Sequence, residues 1–294
     1  MSKANLDQVL LNVSLAKYNT WRVGGLADEV YIPSSKEALI SFINQSDNDK
    51  QINFIGLGSN ILVRANGVRG VVIITNPGLD TIKIISENIL EVGAGTPCAK
   101  VAKFAAKNSL VGAEFLVGIP GTMGGALTMN AGAFGGQTWD IVHSVDVINN
   151  SGETQALEAE KFSYGYRHVN GLEPNNWFIS VRLKLQLDVK SFANKKVKEL
   201  LNKRNQTQPI GQPSCGCVFK NPKGDFAARL IEESGLKGFT LGNSFVSSKH
   251  ANFITHNGKG TAEEIENLIK HVEDTVGNKF NIQLEREVRI LGEK

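Results

Sequence analysis

Apolar and polar positions follow two different periods along this chain, and each change of period marks an element. Ala38, Leu39, Phe42 and Ile43 recur at helical spacing, and Ser34 with Glu37 three residues later supplies a capping box that opens this helix. Ile52 to Ile55 reads as a strand running into Gly-Leu-Gly-Ser-Asn. Ile-Leu-Glu-Val-Gly-Ala-Gly, from residue 89, is a strand ending in a turn; Thr96 as cap and Pro97 as first helical residue then start a helix over Val101, Ala102, Ala105 and Ala106. Val142 to Ile148 and Trp177 to Leu187 are strand-like, the second alternating as a half-buried sheet strand does. A polar helix with Val197, Leu200 and Leu201 on its buried side ends before Gln208-Pro209, where proline stops it and a domain boundary is expected. Thr261 and Glu264 cap a further helix carrying Ile265, Leu268, Ile269, Val272 and Val276. The last expected element is a strand over residues 281–292, with Ile282, Leu284, Val288 and Ile290 on one face and Glu285, Glu287 and Arg289 on the other. Strands and helices mix without regular βαβ alternation, which predicts the α+β class.

A chain of 294 residues is long enough to bury a sizeable core without cross-links. Its three cysteines, Cys98, Cys215 and Cys217, are an odd and sparse set, and the amino terminus has no basic segment followed by an apolar run; both point to a reducing, cytoplasmic setting. The net charge of +3 is close to balance, so nothing requires a nucleic-acid partner. The basic cluster from Lys195 to Arg204 reads as the wet face of a helix, with a local role in holding an anionic ligand as the alternative. Phe115 to Trp139 carries no charge, but its seven glycines, with Pro120, Asn130 and Gln137, suit a buried glycine-rich loop system and not a helix in lipid.

Three stretches could carry chemistry. Gly56 to Val63, GLGSNILV, lacks the third glycine of a dinucleotide fingerprint and continues as strand, so a Rossmann site is not expected. Its turn can still point backbone N–H groups at a phosphate, with Ser59 and Asn60 adding side-chain bonds; a plain turn is the alternative. Gly118 to Gly136, GIPGTMGGALTMNAGAFGG, spends many glycines, which suits backbone lying against a flat extended ligand or else a tightly packed turn region. Pro213 to Pro222, PSCGCVFKNP, sets two cysteines around one glycine. No second ligand pair of zinc spacing accompanies it, and a disulfide across one glycine would be strained. No metal site is expected.

Taken together, the chain resembles the bacterial UDP-N-acetylenolpyruvoylglucosamine reductases, flavoenzymes of the vanillyl-alcohol-oxidase-like FAD-binding fold. The resemblance runs through NTWRVGG (from Asn19), GLGSNILV, GIPGTMGGALTMNAGAFGG, YGYRHVN (from Tyr164), PSCGCVFKNP, KHANFI (from Lys249) and LEREVRILG (from Leu284), seven motifs in the family's order. It implies two FAD-binding subdomains, 1–77 (joined by 282–294) and 78–198, and a substrate-binding domain, 199–281. It implies FAD as cofactor, NADPH as hydride donor and a UDP-sugar as substrate, in a monomeric enzyme of peptidoglycan precursor synthesis of the shorter subclass.

By the same resemblance Gly56, Gly58, Ser59 and Asn60 hold the FAD diphosphate. Ile119, Pro120, Gly121, Thr122, Gly124, Gly125, Asn130 and Gly132 line the flavin and its ribityl chain, and Thr20 and Arg22 pack near the cofactor. Arg167 matches the family's arginine on the substrate carboxylate, and Glu287 its glutamate at the developing enolate; without the resemblance, Glu287 reads as the partner of Arg289 in a surface ion pair. Cys217 takes the place of the serine that donates a proton to carbon in most relatives. A thiol, with a reference pKa near ~8.5, is chemically able to do so, provided Arg167 and Lys220 do not hold it as thiolate. Cys215 reads as a packing residue. Tyr166, Lys220, Asn221, Ser247, His250 and Asn252 match substrate-binding stretches. The family's usual hydroxyl two residues after the arginine is Val169 here, and a lysine found in some members before Gln208-Pro209 is Thr207, which leaves Lys203 and Arg204 as candidates for the substrate diphosphate. The rival readings are an FAD oxidase of the same fold acting on a sugar or hydroxy acid, and a catalytically silent nucleotide-binding module.

Overall fold

A computed structural model describes residues 6–46, 50–189 and 192–294; residues 1–5 of the amino terminus read above lie outside the described residues. The chain divides into two compact units, one built from Met1–Leu11, Glu29–Leu57 and Gly70–Arg204, the other from Asn12–Asp28, Gly58–Arg69 and Asn205–Lys294.

The first unit centres on a five-stranded antiparallel sheet in the order Thr154–Glu158, Val142–Asn149, Asn176–Lys184, Ile89–Gly93, Ile82–Ser86. Val145 faces Val181, and Val181 faces Val92 across the next ladder, so one face is continuously apolar. The helices Cys98–Lys107 and Met123–Thr128 contribute to the core on that face, with Val101, Leu116, Trp139, Val181 and Leu183 fully or almost fully buried. Each such side chain contributes about 1.5–3 kcal/mol by leaving water. Val197 and Leu200 of the helix Ala193–Thr207 join the same core, as their spacing predicts.

Two helix starts fall one residue later than expected. Ser35 and not Ser34 caps Lys36–Gln45, its hydroxyl accepting from Ala38 N–H at 3.2 Å, while the Ser34 N–H donates to the Asp7 carboxylate at 2.7 Å. Pro97 precedes the helix that begins at Cys98, while the Thr96 hydroxyl donates to the Thr81 carbonyl at 3.0 Å and does not cap.

The second unit is organised by the helix Ala262–Phe280, whose capping box is complete: Glu264 N–H donates to Thr261 Oγ1 at 3.1 Å and Thr261 N–H to Glu264 Oε2 at 3.2 Å. Its apolar stripe shares a core with the helix Ala227–Glu233, and three short antiparallel strands, Thr240–Leu241, Ser244–Val246 and Ile254–His256, pack nearby. The long terminal strand expected from alternation is cut down to Arg289–Leu291, which pairs in parallel with Ile61–Val63. Upstream, Leu284 and Val288 are buried four residues apart and only an isolated bridge joins Arg286 to Phe219. The alternation of exposed and less exposed positions persists there, with Arg286 on the same side as Leu284 and Val288 and its guanidinium reaching Glu273 on the long helix at 2.5 and 2.6 Å.

Candidate functional site

In the first unit the two glycine-rich motifs come together. A Cβ on Gly56 would stand 2.2 Å from the hydroxyl of the buried Thr122, so only a glycine permits this approach. Thr122 and Gly121 are held from the other side, where Cys98 N–H donates to the Gly121 carbonyl and Met123 N–H to the Thr96 carbonyl, both at 2.9 Å. Gly124 N–H donates to Ala94 O at 2.8 Å, and its Cα lies so close to Ala94 that a Cβ would touch at 3.0 Å. The charge-free stretch is thus the irregular system expected: a turn of 3-10 helix at Glu114–Gly118, the short helix Met123–Thr128, and a two-residue ladder pairing Gly132–Ala133 with Gly136–Gln137. Among the described residues no helix is long and apolar enough to cross a membrane.

Asn130 is the hub of this region. It is buried with φ 45°, donates to Gln137 Oε1 at 2.9 Å and to the Gly165 carbonyl at 3.0 Å, and accepts from Trp139 N–H at 3.1 Å. The bond to Gly165 anchors the segment that carries Tyr166 and Arg167. Arg167, itself left-handed at φ 59°, donates to the Gly132 carbonyl at 3.3 Å and lies 5.1 Å from the Tyr166 ring centre. Asn130, Gly132, Tyr166 and Arg167, widely separated in sequence, therefore form one cluster. The reading of Lys195 to Arg204 as a wet face needs correction at its end. The Arg204 guanidinium is desolvated, which lowers its pKa, and it donates to the Val117 carbonyl at 3.0 Å, directly before the glycine segment. Lys203 stands 5.8 Å over the Phe134 ring.

The boundary between the units falls inside Gly56–Asn60. Gly58 has φ +63°, and a Cβ there would meet the Tyr18 carbonyl at 2.1 Å; its own carbonyl accepts from Thr20 N–H at 3.1 Å and Thr20 Oγ1 at 3.3 Å. The N–H groups of Gly58 and Ser59 make no hydrogen bond among the described residues, so both are available to an anion. Thr20 and Arg22 flank Trp21, which is fully buried: its indole N–H donates to Ile254 O at 2.9 Å, and its carbonyl faces His256 Nε2 at 2.7 Å. His256 Nδ1 accepts from Gly258 and Gly260 N–H at 3.0 and 3.3 Å, so Nε2 carries the proton and donates to Trp21. Trp21 lies inside the NTWRVGG motif but takes no role from it, and no motif signalled His256.

Also in the second unit, the Cys-Gly-Cys stretch turns at Gly216, φ +79°. Cys215 is 3% exposed and packs in the core as expected, while Cys217 is half-buried. Val218 N–H donates to Asn252 O at 2.9 Å, and the Asn252 side chain closes both polar groups of Phe219, accepting at 3.0 Å and donating at 2.8 Å. On the other side Glu287 N–H donates to the Val218 carbonyl and Lys220 N–H to the Glu285 carbonyl, both at 2.8 Å. Cys217 thus lies on a strand-like segment between Asn252 and Glu287. Burial pushes the Cys215 thiol well above its ordinary value, and the charges of Cys217 and Glu287 raise it further. Glu285 pairs with Lys220 at 2.5 Å. Ser247 Oγ accepts from Lys249 and His250 N–H at 3.1 and 3.4 Å, and His250 Nδ1 from Asn252 N–H at 3.3 Å, so these residues brace the Cys217 segment; burial lowers the His250 pKa. Asn221 Oδ1 accepts from Ala227 N–H at 3.1 Å at the start of the helix Ala227–Glu233. Among the described residues no group of three His, Cys, Asp or Glu could hold a metal ion.

Comparison with known proteins shows the family. Residues 208–291 match the family described as UDP-N-acetylenolpyruvoylglucosamine reductase, C-terminal domain, and residues 27–158 match the one described as FAD binding domain. The chain is 48% identical to a UDP-N-acetylenolpyruvoylglucosamine reductase of Legionella pneumophila (strain Corby), over 97% of this chain and 92% of that one. It is also 48% identical to the Methylococcus capsulatus protein of the same name, over 95% and 91%. The crystal structure of the Thermus caldophilus reductase superposes with a TM-score of 0.82 at 32% identity, covering 97% of this chain and 98% of that one.

Proposed function

The chain belongs to the UDP-N-acetylenolpyruvoylglucosamine reductases, and from that premise we propose how its own residues divide the work. It is an FAD-containing oxidoreductase that reduces the enolpyruvyl group of UDP-N-acetylglucosamine enolpyruvate, giving UDP-N-acetylmuramate for peptidoglycan synthesis. We assign NADPH as hydride donor, a cytoplasmic setting and a monomeric state.

The residues present fit FAD. The unpartnered amides of Gly58 and Ser59 suit the diphosphate, in a loop that its glycines let pack closely on Thr122 at Gly56 and on Tyr18 at Gly58. Thr20 supports that loop through Gly58, and Ile119–Gly121 with Thr122, Gly124, Gly125, Asn130 and Gly132 supply the stretch for the ring and ribityl chain. When bound, FAD supplies hydride transfer from the nicotinamide to the methylene carbon of the enolpyruvyl group.

Hydride addition there sends an electron pair to the adjacent carbon and its carboxylate, so the protein must supply a cation, a proton and a hydrogen-bonding partner. Arg167, its backbone set by Asn130 and Gly132, offers the guanidinium to the carboxylate. Cys217 gives its thiol proton to the carbon bearing the charge, leaving a thiolate that solvent reprotonates. Glu287, ionised in the free enzyme, takes up a proton with the substrate bound and donates it as a hydrogen bond to the developing enolate. Tyr166, Lys220 and Asn221 contact the UDP-sugar; Ser247, His250 and Asn252 keep the Cys217 segment in place. The observation that carries this reading is the ladder setting Glu287 directly against the residue that follows Cys217, at 2.8 Å.

Cys217→Ser and Cys217→Ala test it. Serine retains substantial turnover, whereas alanine reduces with NADPH normally but returns its electrons to the enolpyruvyl sugar far more slowly. A fully active alanine variant removes Cys217 from the mechanism.

A further inference from the structure

Asn60 ends the glycine loop, yet its carboxamide reaches the backbone of an acidic residue far along the chain. Nδ2–H donates to the Glu287 carbonyl at 3.0 Å, and the Asn60 carbonyl accepts from Arg289 N–H at 3.0 Å. The opposite edge of the same segment is fixed by Glu287 N–H on the Val218 carbonyl at 2.8 Å, one residue after Cys217. Residue 287 is therefore held from both sides, and the pairing continues as the parallel ladder of Arg289–Leu291 on Ile61–Val63.

We propose that Asn60 is a positioning residue for the Cys217–Glu287 pair, holding the Glu287 main chain against the segment that carries Cys217 so that carboxyl and thiol keep one spacing. This rests on the assignment of Cys217 and Glu287 to the proton chemistry. Without the carboxamide donor the Glu287 carbonyl loses a partner and the segment is free to shift. A displacement of about 1 Å is enough to cost on the order of 100-fold in a positioned reaction.

The test is the pH dependence of Cys217 alkylation by iodoacetamide, followed by peptide mass spectrometry on the FAD-loaded full chain. Cys98 and Cys215 are buried, so Cys217 reacts first. The charged and titratable groups on the elements packed against it are Lys220 with its partner Glu285, Arg286 with its partner Glu273, His250, Cys215 and Glu287. Glu287→Gln removes a nearby negative charge and moves the alkylation profile to lower pH. Asn60→Ala moves it in the same direction by at least half as much, and slows flavin reoxidation by the enolpyruvyl sugar about tenfold or more. Asn60→Leu, which keeps the side-chain size and branching but has no donor, behaves like Asn60→Ala and serves if alanine fails to fold. A profile that stays on the wild-type curve in the folded Asn60 variants while Glu287→Gln moves it overturns the positioning role. If Glu287→Gln leaves the profile unmoved, the Cys217–Glu287 pair itself falls, and the role of Asn60 with it.

Discussion

Gly58→Ala separates the local needs of the glycine loop from a general intolerance of side chains in turns. Gly58 has φ +63°, and an added Cβ would stand 2.1 Å from the Tyr18 carbonyl and 2.5 Å from Asn19 Cα. Gly211 is the control: its φ is +89° but nothing lies within 4 Å of an added Cβ. Alanine at residue 211 therefore meets only the left-handed backbone cost of about 1–2 kcal/mol. At residue 58 the same strain is joined by overlap with backbone that cannot rotate away, adding about 1–3 kcal/mol, for a total of about 2–5 kcal/mol. The overlap also pushes the loop off Thr20, whose N–H and hydroxyl both use the Gly58 carbonyl, and so disturbs the neighbouring amides. Thermal melts of both variants, with flavin absorbance per polypeptide after gel filtration, read the two effects together. The expected outcome is a flavin-replete Gly211→Ala melting slightly below wild type and a flavin-poor Gly58→Ala melting well below it. A Gly58→Ala protein that keeps its flavin and melts with the control refutes the reasoning.

Asp146 carries a pH-dependent contribution. Burial pushes its pKa up, but hydrogen bonds from Ser180, Arg182 and Lys36 outweigh that and hold it below the usual 3.8. A depressed folded-state value contributes stability above pH ~3.8 that is lost as pH falls through the folded value. Asp146→Asn is thus expected to cost about 1.5–3 kcal/mol at pH 7 and progressively less on acidification, checked by urea unfolding at several pH values. Thr261→Ala removes half of the capping box on Ala262–Phe280 and lowers stability by about 1 kcal/mol, whereas Thr261→Ser leaves it nearly unchanged, again by urea midpoint. Trp21→Phe keeps most of the buried ring but deletes the bond to Ile254 O, and a loss of about 1–2 kcal/mol in the same assay is expected.

What the sequence made legible was local. The strand Ile52–Ile55, the capping box of Thr261 and Glu264 and the stop before Pro209 each depend on residues within one or two turns, and each stands where the pattern put it. What it hid depends on distant partners. Ser34 looked the better cap by its spacing to Glu37, but Ser35 caps and the Ser34 N–H goes to Asp7, 27 residues away. The terminal strand looked continuous because its alternation does persist, but alternation does not reveal that ladder pairing is limited to Arg289–Leu291. Arg204 looked solvated because helical periodicity does not reveal that Val117, 87 residues earlier, presents its carbonyl there. The site shows the same division. Glycine density marked both loops, because glycine is costly enough to be informative, but that Gly56 meets Thr122 across more than sixty residues is visible only in the fold. Asn60 read as a phosphate ligand from its loop, while its bond to Glu287 O spans 227 residues.

If this chain passes hydride through FAD to an enolpyruvyl sugar and completes the reduction with a proton from Cys217, two changes of flavin absorbance follow in order. The visible spectrum of the anaerobic wild-type protein, followed through addition of NADPH and then of UDP-N-acetylglucosamine enolpyruvate, tests it most directly. The flavin absorbance is expected to bleach with NADPH and return with the sugar, and in Cys217→Ala to bleach equally fast but return far more slowly. A wild-type protein that bleaches and does not return, or an alanine variant that returns at the wild-type rate, contradicts it.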